Sequence, residues 1–154
     1  MKICDRYEHQ NALAVLEQKI PFKEFATIIE VSQLTFGRDN PKYIKSVVSE
    51  RFNEKGWADR VRIVASTNLT INYMKNKVGV CFQLGNVARM YADLLKLETL
   101  GLENKIDVGV IILPDALESS KLGANYARFD RLKKEMQVFS RIFTLPMLVI
   151  SLSN

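Results

Sequence analysis

Histidine and cysteine are nearly missing from this 154-residue chain, which holds one His (His9) and two Cys (Cys4 and Cys81). A lone histidine with no partner at motif spacing argues against a His-centred triad. The two cysteines are far apart and form no CxxC pair. They therefore read as free thiols of a reducing compartment, not as a disulfide or a zinc knuckle. No apolar run approaches the roughly 18 residues that a membrane span needs. The opening MKICDRYEHQNALAVLEQ turns polar at its fifth residue and does not read as a signal peptide. A cytoplasmic protein with no membrane partner is the expectation. Gly/Ser linkers, repeats and low-complexity tracts are also absent, so residues 1–154 are read as one domain large enough for its own core.

What is present is positive charge, unevenly placed. The net charge is +5, and the segment 121–141 carries most of it. There Lys121, Arg128, Arg131, Lys133, Lys134 and Arg141 face only Asp130 and Glu135. Such a segment is either a solvated helix face or a contact surface for a polyanion.

Hydrophobic spacing divides the chain into a helical part, 1–57, and a sheet-containing part, 58–154. Leu13 and Leu16 mark a helix over 11–18, and Phe22, Phe25, Ile28 and Ile29 mark a second over 22–32. Ile44, Val47, Val48 and Phe52 place a third over 43–54, closed by Gly56. RVRIVA at 60–65 alternates as a strand. Two further strands, 70–74 and 78–84, follow around the turn Lys75-Asn76-Lys77. An amphipathic helix over 87–100, a buried strand over 106–113, a helix over 125–139 and an apolar strand over 145–152 complete the order. This pattern predicts an α/β or α+β chain with a mixed sheet flanked by helices.

The hairpin carries the chemistry. Asn72 stands on its first strand, with Cys81 and Gln83 on one face of its second. Phosphodiester cleavage with Mg²⁺ needs hard, charged oxygen ligands at such positions, and here the carboxylates are missing. The spacing Asn72-x8-Cys81-x-Gln83 is similar to the D-x8-E-x-Q site of the BglII/BstYI type II restriction endonucleases, a branch of the PD-(D/E)XK superfamily. The stretches Phe82-Gln83-Leu84-Gly85, Tyr91-Ala92-Asp93-Leu94 and Leu145-Pro146-Met147-Leu148-Val149-Ile150 resemble that family too, and Lys105 to Pro114 closely resembles its KIDVGVEILP. The resemblance is firm over 73–151 and looser before it.

The resemblance implies a PD-(D/E)XK restriction-endonuclease-like fold, a two-fold homodimer and double-stranded DNA as partner. It implies Asn72, Cys81 and Gln83 as the active-site positions. For DNA it implies Asn86, which stands where a base-reading lysine is common, and the segment Lys121 to Tyr126 that replaces the family's S-S-G-x-S-Y. Within and beyond that segment it points to Lys121, Asn125, Tyr126, Arg128 and Arg131. The departures fall at the metal. Asn72 replaces the aspartate, Cys81 the glutamate, and Ile111 the glutamate of VEILP. No metal ligands are assigned and no cofactor is expected, although the active family uses Mg²⁺. Three functions follow from this: a degenerate homologue that still binds duplex DNA, an active nuclease with relocated acids (or an inactivated variant of one), and a dimeric interaction protein without DNA binding. Glu30, Asp93 and Asp107 are the carboxylates available for relocation.

Overall fold

The computed structural model describes residues 1–154. Its centre is made by the segments with the least polar sequence. Strand β4 (Val78–Phe82) and strand β5 (Val108–Pro114) are buried along their whole length, and β6 (Met147–Ser153) nearly so. These three pair in parallel. β3 (Thr70–Lys75) joins β4 antiparallel, β2 (Ala58–Arg62) joins β3, and β1 (Lys2–His9) closes the other edge on β6. The six-stranded mixed sheet therefore runs β1-β6-β5-β4-β3-β2.

Alternation splits the core into two layers. Val78, Val80, Phe82, Val108, Val110 and Ile112 face helices α1 (Ala12–Lys19), α2 (Phe22–Ile29) and α3 (Pro41–Glu54). Phe52 is the hub of that layer, stacked on Tyr73 at 4.0 Å and edge-on to Trp57 at 5.1 Å. Cys81, Ile111, Leu113, Met147 and Val149 face α4 (Val87–Leu102) and α6 (Phe129–Val138). On that side Gly79 and Gly109 are cross-strand neighbours. A Cβ on Gly79 would lie 2.9 Å from Ile106 and 3.0 Å from Leu97, so glycine is what lets α4 settle onto the sheet.

The turn is the two-residue loop that a tight hairpin needs, with φ of 48° at Asn76 and 62° at Lys77. Several features differ from the sequence reading: the second helix ends at Ile29, the strand expected over 60–65 spans Ala58–Arg62, and β4 ends at Phe82. The part before residue 58 is not wholly helical, because β1 belongs to the sheet. β1 is a charged edge strand with a bulge between Ile3 and Asp5. The extra residue inverts the alternation, so Ile3 packs on one layer and Tyr7 on the other, and no period-2 pattern survives. A short helix, α5 (Ala116–Leu122), was not foreseen; Asp115 caps it by accepting from Glu118 N–H. The helix expected from Asn125 begins only at Phe129, since Tyr126 is held extended by a bridge to Asn86. No helix is long and apolar enough to cross a membrane.

Candidate active site and nucleic-acid interface

Pairing between β3 and β4 runs from the turn only as far as Tyr73 and Val80. Beyond it the Asn72 side chain bridges the strands, its Oδ1 accepting from Phe82 N–H at 2.9 Å. β4 stays attached to β5 there, with Gln83 N–H donating to Ile112. The hairpin's open end thus forms one wall of a polar cavity of about 500 Å³, which contains Asn72 and Gln83 and is walled opposite by α4.

Each candidate active-site residue has a definite state. Cys81 is fully buried, and burial, aided by the nearby Asp93 carboxylate, pushes its thiol well above the usual value. Its cross-strand neighbour is Ile111, so the two positions where the resemblance implies glutamates lie side by side in an apolar layer. Gln83 is buried and donates through Nε2 to Asp93 Oδ2; its Oε1 has no partner within the chain. Gly85 makes room for that amide, since a Cβ there would stand 2.7 Å from Oε1.

Of the carboxylates available for relocation, the fold brings one to the site. Asp93 lies on the inward face of α4, its second oxygen held by Lys96 at 2.9 Å. Asp107 sits at the turn end of the hairpin with Lys19 and Lys77, and the Lys19 ammonium holds its carboxyl below the usual range. Glu30 accepts from Ile3 N–H near the sheet edge. Sequence reasoning also missed Lys45 of α3 and Arg89 of α4, both of which reach the cavity. They sit 27 residues before and 17 residues after Asn72, outside any motif, so no linear signal could have found them.

Mg²⁺ is the ion that the resemblance implies, and these donors do not fit it. Asn72 offers a neutral oxygen already engaged by Phe82 N–H. Cys81 is a protonated soft ligand and Ile111 has no donor atom. Both oxygens of the only nearby carboxylate, Asp93, are taken by Gln83 and Lys96. No group of three His, Cys, Asp or Glu side chains converges anywhere in the chain.

A second recess, of about 350 Å³, lies beside the N-terminus of α4, and Asn125, Tyr126, Arg128 and Arg131 line it. Asn86 caps α4 by accepting from Arg89 N–H and bridges to Tyr126, so it stands at the rim. Five of the six DNA-contact candidates are therefore brought together, and Asn86 lies three residues beyond Gln83 of the first cavity. Lys121 is the exception. It points away from the recess, pairs with Glu118 and lays its stem on Gly37. The basic segment as a whole is largely neutralised: Arg128 pairs with Asp130, Arg131 with Glu135, and Lys133 with Asp5. Arg131 also donates to the Tyr91 hydroxyl, tying α6 to α4.

Comparison with known proteins agrees with this fold. Residues 4–152 match the family "Restriction endonuclease BglII/BglIII". The whole chain superposes on restriction endonuclease BglII complexed with a DNA 16-mer, covering 77% of that chain, with a TM-score of 0.81 at 15% identity. It superposes on free BglII over 80% of that chain, with a TM-score of 0.70 at 16% identity. No curated protein sequence matches it.

Proposed function

Because this chain belongs to the BglII/BglIII restriction endonuclease family, we propose that it binds double-stranded DNA but has lost metal-dependent cleavage. One observation carries this reading. The positions where the resemblance implies metal ligands hold Asn72, whose oxygen is engaged, and Cys81, whose thiol is buried and protonated. Removing two carboxylates from a metal's first shell forfeits Lewis-acid stabilisation worth several kcal/mol in the transition state. The DNA half of the reading is supported by the DNA-bound relative and by the recess that gathers Asn125, Tyr126, Arg128 and Arg131 beside Asn86. Groups of these types position a duplex through phosphates and read base edges.

Purified protein given plasmid DNA with Mg²⁺ or Mn²⁺ is expected to leave it intact, while a gel shift appears and weakens with salt. Discrete fragments would sink the degenerate reading. The absence of any shift would leave the chain as an interaction module. One observation favours an active enzyme as the second reading: Asp93 is a carboxylate placed at the site. In that case cleavage is found, and Asp93→Asn abolishes it. In the leading reading Asn72→Asp with Cys81→Glu regains cleavage, provided Ile111 yields room for the new carboxylate; circular dichroism checks the fold.

We further infer a homodimer, supported by an apolar groove on the outer side of α4. Val64, Leu69 and Leu95 are exposed there, and the inner face of the same helix packs on the chain's own sheet.

A further inference from the structure

The cavity at the open end of the hairpin carries more positive charge than its own acid can offset. Three cations reach it, Lys45, Arg89 and Lys96, against the single carboxylate of Asp93. Lys96 and Asp93 neutralise one another at 2.9 Å. The side chains of Lys45 and Arg89 make no hydrogen bond or ion pair within the chain. Lys45 is half-buried, and burial, reinforced by Arg89 and opposed by Asp93, pulls its ammonium below the usual range. A desolvated cation without a counter-ion costs stability, and an arriving anion relieves that cost. Arg89 stands exposed in the first turn of α4, where the helix dipole disfavours a cation, and its guanidinium has no partner in the chain.

The surplus of two positive groups equals the charge of one divalent ion. In a carboxylate-bearing site the acids repel a phosphate unless a metal intervenes. Here Asn72 and Cys81 carry no charge, and that repulsion is gone. We propose that Lys45 and Arg89, flanked by the Lys96–Asp93 pair, hold a DNA phosphate in this cavity directly, so that duplex binding needs no divalent metal. This rests on the reading of the chain as a DNA binder and adds to it the groups that hold the backbone at the former metal centre.

The test is fluorescence anisotropy with a labelled duplex of mixed sequence, run in Mg²⁺ and in EDTA at matched ionic strength. Wild-type affinity is expected to be the same in both. Lys45→Gln with Arg89→Gln is expected to weaken binding about tenfold or more, the loss of charge-assisted contacts. It should also flatten the dependence of log K on log salt by about one phosphate contact. Asn72→Asp with Cys81→Glu should bind more weakly in EDTA than in Mg²⁺, because the restored acids repel the phosphate again. Thermal melts confirm that each variant is folded. A wild-type protein that binds no duplex at any salt overturns the DNA reading and this inference together. Binding that requires Mg²⁺, or that is unchanged in the Lys45/Arg89 variant, overturns this inference alone.

Discussion

Cys81 shows how burial sets the chemistry of a single residue. Its thiol is fully buried beside Ile111, and burial together with the Asp93 charge keeps it protonated well past its ordinary value of 9.0. Such a thiol is not a nucleophile. A thiol reagent at neutral pH should therefore label the exposed Cys4 alone in the folded protein and both cysteines in denaturant. The linkage has a definite sign. In the unfolded chain the thiol ionises near 9.0, whereas in the folded protein it keeps its proton. Its contribution is therefore complete below that pH and is lost as pH rises toward the folded value. Between these limits the unfolding free energy of the wild type should fall by about 1.4 kcal/mol per pH unit more steeply than that of Cys81→Ala. Equal slopes for the two proteins would show that Cys81 ionises freely in the fold.

At the scale of elements, α4 organises the second layer through a polar contact as well as an apolar one. Glu98 is buried and accepts from Thr144 N–H at 2.8 Å, from the Thr144 hydroxyl and from Leu145 N–H at 3.1 Å. These bonds fix the segment that leads into β6 and seat Leu145 against Gly101 and Gly109. Glu98→Ala leaves those donors without an acceptor and should cost about 2 kcal/mol. Glu98→Gln keeps one acceptor oxygen and should lose less. Urea unfolding measures both, and hydrogen exchange at the Leu145 amide should accelerate in the alanine variant. An alanine variant as stable as wild type would mean that packing of Leu145 alone holds the segment. The longer helices and the central strands were legible because their apolar spacing is regular, as in α3 and β5. β1 was not, because its bulge and its charged edge erase the alternation.

At the scale of the molecule, three of the eight large exposed apolar residues gather in one groove on the outer side of α4. Leu95 is 63% exposed, Leu69 54% and Val64 41%. A monomer has little use for such a cluster, and a two-fold partner would cover it with the same patch. Light scattering after size exclusion should give twice the chain mass for the wild type. Leu95→Lys should give the monomer mass with an unchanged circular dichroism spectrum. A monomeric wild type at all concentrations would remove the dimer. The charge balance also has to be judged at this scale. The segment 121–141 holds most of the net charge in sequence, yet Lys121, Arg128, Arg131 and Lys133 are each answered by a carboxylate, two of them one helical turn away and one on β1.

Local sequence fixes the hairpin, the strands that bury it, the family likeness and the uncharged side chains of Asn72, Cys81 and Ile111, where the resemblance implies acids. All of these are encoded in spacing over a few residues, where chain geometry leaves little freedom. Which charges meet beside Asn72 and Gln83 is set only by packing in three dimensions. Lys45 arrives from α3 and Arg89, Asp93 and Lys96 from α4, across the sheet end and at separations with no period in sequence. Packing likewise withdrew Lys121 from the recess and sent Asp107 and Glu30 elsewhere. Electrostatics depends on distance in space, and distance in space is what packing sets.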